Sequence, residues 1–147
     1  MNTRIRNYTS NVPVEESVIR IESKLVRAGA RDIMKNYDDA QTLAGISFRI
    51  FRHNQYFAFK LPANIEGVAK AIYKSDMKSL SDLKRKQCYR TAWKIIYDWV
   101  DIQLTMIELQ QADPIEVFLP YLWIGTQSFY KSLEETNFGL LAERATP

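Results

Sequence analysis

The sequence predicts an α+β fold: an N-terminal helix on a three-stranded antiparallel sheet, followed by a helical C-terminal half with one long central helix at about 82–110. Three observations carry that prediction. Apolar residues recur at helical spacing near the start of the chain and again, in two adjacent rows, beyond residue 82. Between these stretches, residues 43–52 alternate with a period of two, as a half-buried strand does. Polar turns separate that stretch from strand-like runs on either side, so the simplest arrangement is a meander with one face for the first helix to cover.

Residues 1–12 are mostly polar and end at Pro13; they read as a flexible arm, with 13–147 forming a single domain. Val14, Val18, Ile21, Leu25 and Ala28 then step by four, three, four and three, which predicts a helix over 14–28. Glu15 and Glu16 suit the positive end of that helix, and Gly29 is placed to terminate it. Ile33, Met34 and Tyr37 mark a short first strand, and Asp38-Asp39-Ala40-Gln41 a polar turn. In the second strand Ile46, Phe48 and Ile50 face one way and Ser47, Arg49 and Phe51 the other. His53-Asn54-Gln55 is a tight turn, Tyr56 to Leu61 returns as the third strand, and Pro62 stops it.

Asn64 caps a short helix running from Ile65 to about Tyr73. Ser75 to Asp82 reads as a polar connection. Beyond it, Tyr89, Trp93, Ile96, Val100, Gln103 and Ile107 form one row of the long helix, and Ala92, Ile95, Trp99, Ile102 and Met106 form a second. Asp113-Pro114-Ile115-Glu116 opens another helix, with Asp capping, Pro in the first helical position and Glu reaching back. Pro120 must break or kink that helix, and a further short helix is expected around 127–136.

A chain of 147 residues with 46% apolar content is long enough for one buried core. The lone Cys88 excludes an internal disulfide and fits a reducing compartment as a buried small residue. The first residues lack the apolar run of a signal peptide, and no stretch is apolar enough to span a membrane. The expected setting is cytoplasmic, with no membrane association.

Function has to be sought in the charge. Residues 1–98 hold 18 Lys and Arg against 10 Asp and Glu, whereas residues 99–147 hold 2 against 7. The positive part is densest from Arg49 to Lys94, where 11 basic residues meet only Glu66, Asp76 and Asp82. Such separation creates a region that attracts phosphate or an acidic protein surface. Within the long helix, Lys84, Arg85, Lys86, Arg90 and Lys94 precede Asp98, Asp101 and Glu108. That order opposes the helix macrodipole, at roughly 0.3–1 kcal/mol for each charge near an end. Either these cations form a solvated face or they exist to meet an anion.

A second candidate surface is the stretch from Phe48 to Lys60. With Ile46, Phe48 and Ile50 in the core, Arg49, Phe51 and His53 face out near Arg52 and Tyr56, an interleaving that can stack bases and hold phosphates. The glycine and aromatic spacing of an RNA-recognition motif are absent. Packing of both sheet faces is the alternative. In Val117 to Ile124, eight consecutive apolar or proline residues read mainly as core, with an exposed Tyr121–Trp123 pair as a candidate protein interface.

Catalytic and metal chemistry find little support. One His and one Cys do not build a zinc site. Asp98 and Asp101 share a helix face, but a magnesium pair needs further ligands and none is evident. The polar turn around His53 suggests exposure, and no glycine-rich phosphate loop exists. No catalytic residue, metal ligand or cofactor is assigned.

Ala92-Trp93-Lys94-Ile95-Ile96-Tyr97-Asp98-Trp99-Val100-Asp101-Ile102-Gln103-Leu104, followed by Val117-Phe118-Leu119-Pro120-Tyr121-Leu122, resembles segments in a group of small uncharacterised bacteriophage and prophage proteins. Gly29-Ala30-Arg31, Ile46-Ser47-Phe48 and Leu61-Pro62-Ala63-Asn64 are similar too. The resemblance implies a phage or mobile-element protein acting inside a bacterial host cell, and it transfers no catalytic residue. The expected function is a non-enzymatic protein that docks nucleic acid or a nucleic-acid-binding host complex through Arg49, Arg52, Lys84, Arg85, Lys86, Arg90 and Lys94, with Phe51 or Tyr56 stacking. The alternative is a protein-binding inhibitor of a bacterial defence system, of anti-CRISPR type, with charge steering the encounter and aromatics anchoring it. A homo-oligomer, positive half against negative half, is a third expectation.

Overall fold

The computed structural model describes residues 2–142. Helix α1 (Val14–Arg27) buries Val18, Ile21 and Leu25 on one side. Its acidic first turn and basic last turn both favour the helix dipole. Gly29, at φ +96°, turns the chain where a side chain would be strained. Strands β1 (Ala30–Tyr37), β2 (Leu43–Arg52) and β3 (Gln55–Pro62) then form the antiparallel meander, in the order β1-β2-β3. The β2–β3 turn is only His53-Asn54. Both residues have positive φ (53° and 61°), as the two-residue turns that match strand twist require.

β1 starts three residues earlier than its apolar pattern indicates. A bulge at Asp32 (φ 54°) shifts the register between Arg31 and Met34 and breaks the alternation that a sequence reading depends on. Ile46, Phe48 and Ile50 of β2 face Leu61, Phe59 and Phe57 of β3, and this face meets the helices.

Helix α2 (Ile65–Tyr73) is capped by Asn64, whose side chain accepts from the Gly67 amide at 3.0 Å. After a single 3-10 turn at Met77–Ser79, Ser81 caps helix α3 (Asp82–Glu108), whose 27 residues span about 40 Å. α1 lies alongside α3 in the same direction, so Arg20, Lys24 and Arg27 fall beside Tyr97, Asp101 and Glu108. Helix α4 (Pro114–Phe118) carries the full capping box between Asp113 and Glu116. Pro120 ends it in a second 3-10 turn, Leu119–Tyr121. Strands β4 (Trp123–Ile124) and β5 (Gln127–Ser128) make a small hairpin before helix α5 (Phe129–Glu135). The sequence does not predict that hairpin, because two-residue strands are too short to leave a periodic signal.

The apolar residues settle into two clusters. The larger joins α1, the sheet, Trp93, Val100 and Leu104 of α3, and Phe118 of α4. Phe118 is 1% exposed and packs its ring against Phe48, Phe59 and Trp99 at 5.1–5.9 Å. The smaller joins Val68, Ala69 and Ile72 of α2 to Leu80, Cys88 and Ala92.

Residues 2–12, expected as a flexible arm, lie along α2 and α3. Ile5 and Tyr8 pack on the smaller cluster. The Thr91 hydroxyl donates to the Asn7 carbonyl at 2.8 Å, and the Gln87 amide donates to the Tyr8 and Ser10 carbonyls at 3.0 Å. Arg6 and Asn7 both donate to Asp98 at 2.9 Å. The arm's mostly polar composition conceals this docking, because its backbone carbonyls make many of the contacts. No described helix is long and apolar enough to cross a membrane.

Candidate functional site

The sequence nominates cations on the β2–β3 hairpin and along α3, and the structure sets these two groups at opposite ends of the molecule. Trp93 Nε1 donates to the Leu43 carbonyl, so the start of β2 sits at the middle of α3. Arg52, at the far end of β2, binds Asp113, which lies beyond the last residue of α3. The hairpin tip is therefore directed to the rear end of α3, while Lys84, Arg85 and Lys86 occupy its front turn. The 24 helical steps from Lys84 to Glu108 alone span about 36 Å. The nominated cations do not share one exterior.

They also differ in their partners. Arg49 makes two hydrogen bonds to Asp32 at 2.9 and 2.5 Å, and its guanidinium lies 4.3 Å from the Tyr56 ring centre. Arg52 reaches Asp113 at 2.6–2.7 Å. His53 sits exposed in the turn. Lys94 binds Asp98 at 2.5 Å. Burial works against ionisation of Asp98, but hydrogen bonds from Asn7, Lys94 and Arg6, together with the Lys94 charge, outweigh it and bring the carboxyl down to about 2. Asp98 is thus an anchor for the arm, and Asp101 pairs with Lys24 at 2.9 Å. Each member of the conceivable magnesium pair is committed to a cation. Among the described residues, no group of three or more His, Cys, Asp or Glu is placed to hold a metal ion.

The front end of α3 behaves differently. Lys84 and Lys86 form no ion pair among the described residues, and Arg90 is held by neutral acceptors, the Ser10 carbonyl (3.2 Å) and Gln87 Oε1 (2.6 Å). Arg85 folds back to donate to the Met77 and Lys78 carbonyls at 2.8 Å and meets Asp82 at 3.3 Å. The surrounding segments add cations that sequence reasoning did not single out. α2 buries Val68, Ala69 and Ile72, which leaves Lys70 exposed, with Lys74 one turn later. Their four-residue spacing on a polar helix face was the available signal. Lys78 and the arm's Arg4 are likewise exposed. None of Arg4, Lys70, Lys74 and Lys78 pairs with a carboxylate among the described residues.

Four carboxylates lie at this end; Glu15 shares a cavity with Lys86 and Arg90 without pairing with either among the described residues, and the other three are engaged. Glu66 accepts from the Met77 amide, Asp82 pairs with Arg85, and Asp76 caps the 3-10 turn. The hydrogen bonds from Ser79 hold the Asp76 carboxyl below its ordinary value. Lys74 and Lys84 border a cavity of about 410 Å3 with Ile72 and Tyr73, and the Lys84 ammonium lies 5.3 Å from the Tyr73 ring centre. Cys88, beneath α2, is fully buried, and burial pushes its thiol up, away from nucleophilic use.

Tyr121 and Trp123 are half-buried, not an exposed pair. Tyr121 meets Trp99 edge-on at 5.4 Å, and Trp123 carries the Lys60 ammonium 3.9 Å from its ring centre. Both line a groove of about 630 Å3 together with Pro62, Pro120 and Tyr130. No protein-family model, curated protein or solved structure matches the chain.

Proposed function

We propose that this chain is a non-enzymatic binding protein whose front end, where α2, the connection and the first turns of α3 meet the arm, docks nucleic acid or a nucleoprotein complex. The observation that carries this reading is the state of the cations. Arg4, Lys70, Lys74, Lys78, Lys84, Lys86 and Arg90 gather at one end without carboxylate partners among the described residues. Elsewhere in the fold, cations from distant segments reach carboxylates across long sequence separations. Lys84 and Lys86 also sit against the helix dipole, a placement that costs stability and that an external anion would offset. The resemblance to phage and prophage proteins supports a setting inside a bacterial host and adds no residue to the site.

Titration of a labelled oligonucleotide at two salt concentrations tests the reading. Phosphate contacts release counterions, so affinity should fall steeply with salt, with a slope that drops by about one for each contact removed. A salt-independent binding constant, or no binding at low salt, overturns it. Co-purification with a host protein and no binding to free DNA or RNA would select the inhibitor reading.

A further inference from the structure

The sheet has one face packed on helices and one face left bare. On the bare face the strand register sets three cross-strand rows: Phe51 with Tyr56; Arg31, Arg49 and Ala58; and Met34, Ser47 and Lys60. Small residues at the centre, Ser47 and Ala58, leave a depression of about 320 Å3 rimmed by Met34, Arg49, Lys60 and Trp123. Phe51 (46% exposed) and Tyr56 (49%) continue it to the hairpin tip, their rings 4.9 Å apart. Among the described residues, Arg31 and Lys60 have no carboxylate partner and Asp32 is the only acidic residue that reaches this face. Each of two rings, Tyr56 and Trp123, already has a cation against it.

This combination has a specific chemical complement. Rings and a flat guanidinium offer stacking surfaces that any base can use, and cations beside them meet the phosphates that link successive bases. Paired bases are stacked on their neighbours and present no free face to such a platform. We infer that the bare sheet face binds unpaired nucleotides, with one base in the depression beside Trp123 and the next on Tyr56 and Phe51. This inference rests on the proposed nucleic-acid function and narrows its ligand to single-stranded DNA or RNA. An acidic protein segment would use the cations but would leave the stacking rings without a role.

The test compares a fluorescein-labelled oligothymidine of about 15–20 nucleotides with a blunt duplex of the same length, by anisotropy at low salt. The single strand should bind at least tenfold tighter than the duplex. Tyr56→Ala should weaken single-strand binding roughly tenfold while duplex binding stays unchanged, and Tyr56→Phe should retain the affinity. Lys60→Glu gives a second, independent reading of the same face, with circular dichroism verifying the fold of each variant. Equal binding of both forms, with Tyr56→Ala silent, overturns the inference and leaves the front-end reading standing. Binding of neither form overturns both.

Discussion

At the rear of α3, cations from the first half of the chain cross over to carboxylates of the second half: Lys24 to Asp101, Arg27 to Glu108 and Arg52 to Asp113. At the front, Lys84, Lys86, Lys70 and Lys74 have no such partner among the described residues. The parallel course of α1 and α3 accounts for the rear, because it lays the basic flank of α1 beside the acidic half of α3. The carboxylates at the front, Glu15, Glu66, Asp76 and Asp82, pair with none of these lysines among the described residues. The charge separation along the sequence is therefore largely cancelled in space at one end and kept at the other. Asp101, Glu108 and Asp113 of the acidic second half are thus neutralised within the chain.

The two ends also differ in what secures them, and that difference can be broken in order of size. Phe118→Ala removes the aromatic plug between the sheet and the rear of α3 and should cost about 3–5 kcal/mol in denaturant unfolding. At the front, Lys74→Glu with Lys84→Glu should leave thermal stability nearly unchanged. The pair should still weaken oligonucleotide binding by at least tenfold, or about 1.4 kcal/mol. An equal loss of duplex binding from Arg49→Gln with Arg52→Gln would move the phosphate contacts to the hairpin.

Asp98→Asn should free the arm at a cost of about 1–2 kcal/mol, seen as faster proteolysis before Pro13. Here the sign of the pH dependence is fixed. The folded carboxyl lies at about 2, below the ordinary 3.8, so its contribution is complete above about pH 4 and disappears as the pH falls towards 2. The stability gap between wild type and Asp98→Asn should close over that window; a gap independent of pH would show that the anchor is not ionic. The smallest effect is expected from the exposed rear pairs. Arg27→Gln or Arg52→Gln should each change stability by less than about 1 kcal/mol, measured by thermal unfolding in low and high salt.

Local chemistry made much of the fold legible. Asn64 and Asp113 each cap a helix in the structure, and the alternation from Ile46 to Ile50 sets the inner and outer faces of β2. The two-residue strands and the docked arm were not legible, because the first are too short for periodicity and the second is held partly by backbone carbonyls. For the site, the sequence identified Lys84, Lys86 and Arg90 as a basic front but could not distinguish them from Arg49, Arg52 and Lys94. Partnership separates these groups, and it is a long-range property: Arg27 and Glu108 lie 81 positions apart. The Phe51–Tyr56 pairing came from strand alternation and a short turn, both local.

A naked, ring-studded sheet surface carries a hazard, since β1 is an edge strand whose unsatisfied backbone groups could recruit the same strand of another molecule. The left-handed kink at Asp32 interrupts that ladder after Arg31 and puts a charge at the break. Straightening it, as Asp32→Val would favour, should turn a well-behaved protein into one that polymerises through its edges, visible as thioflavin-positive aggregate on standing.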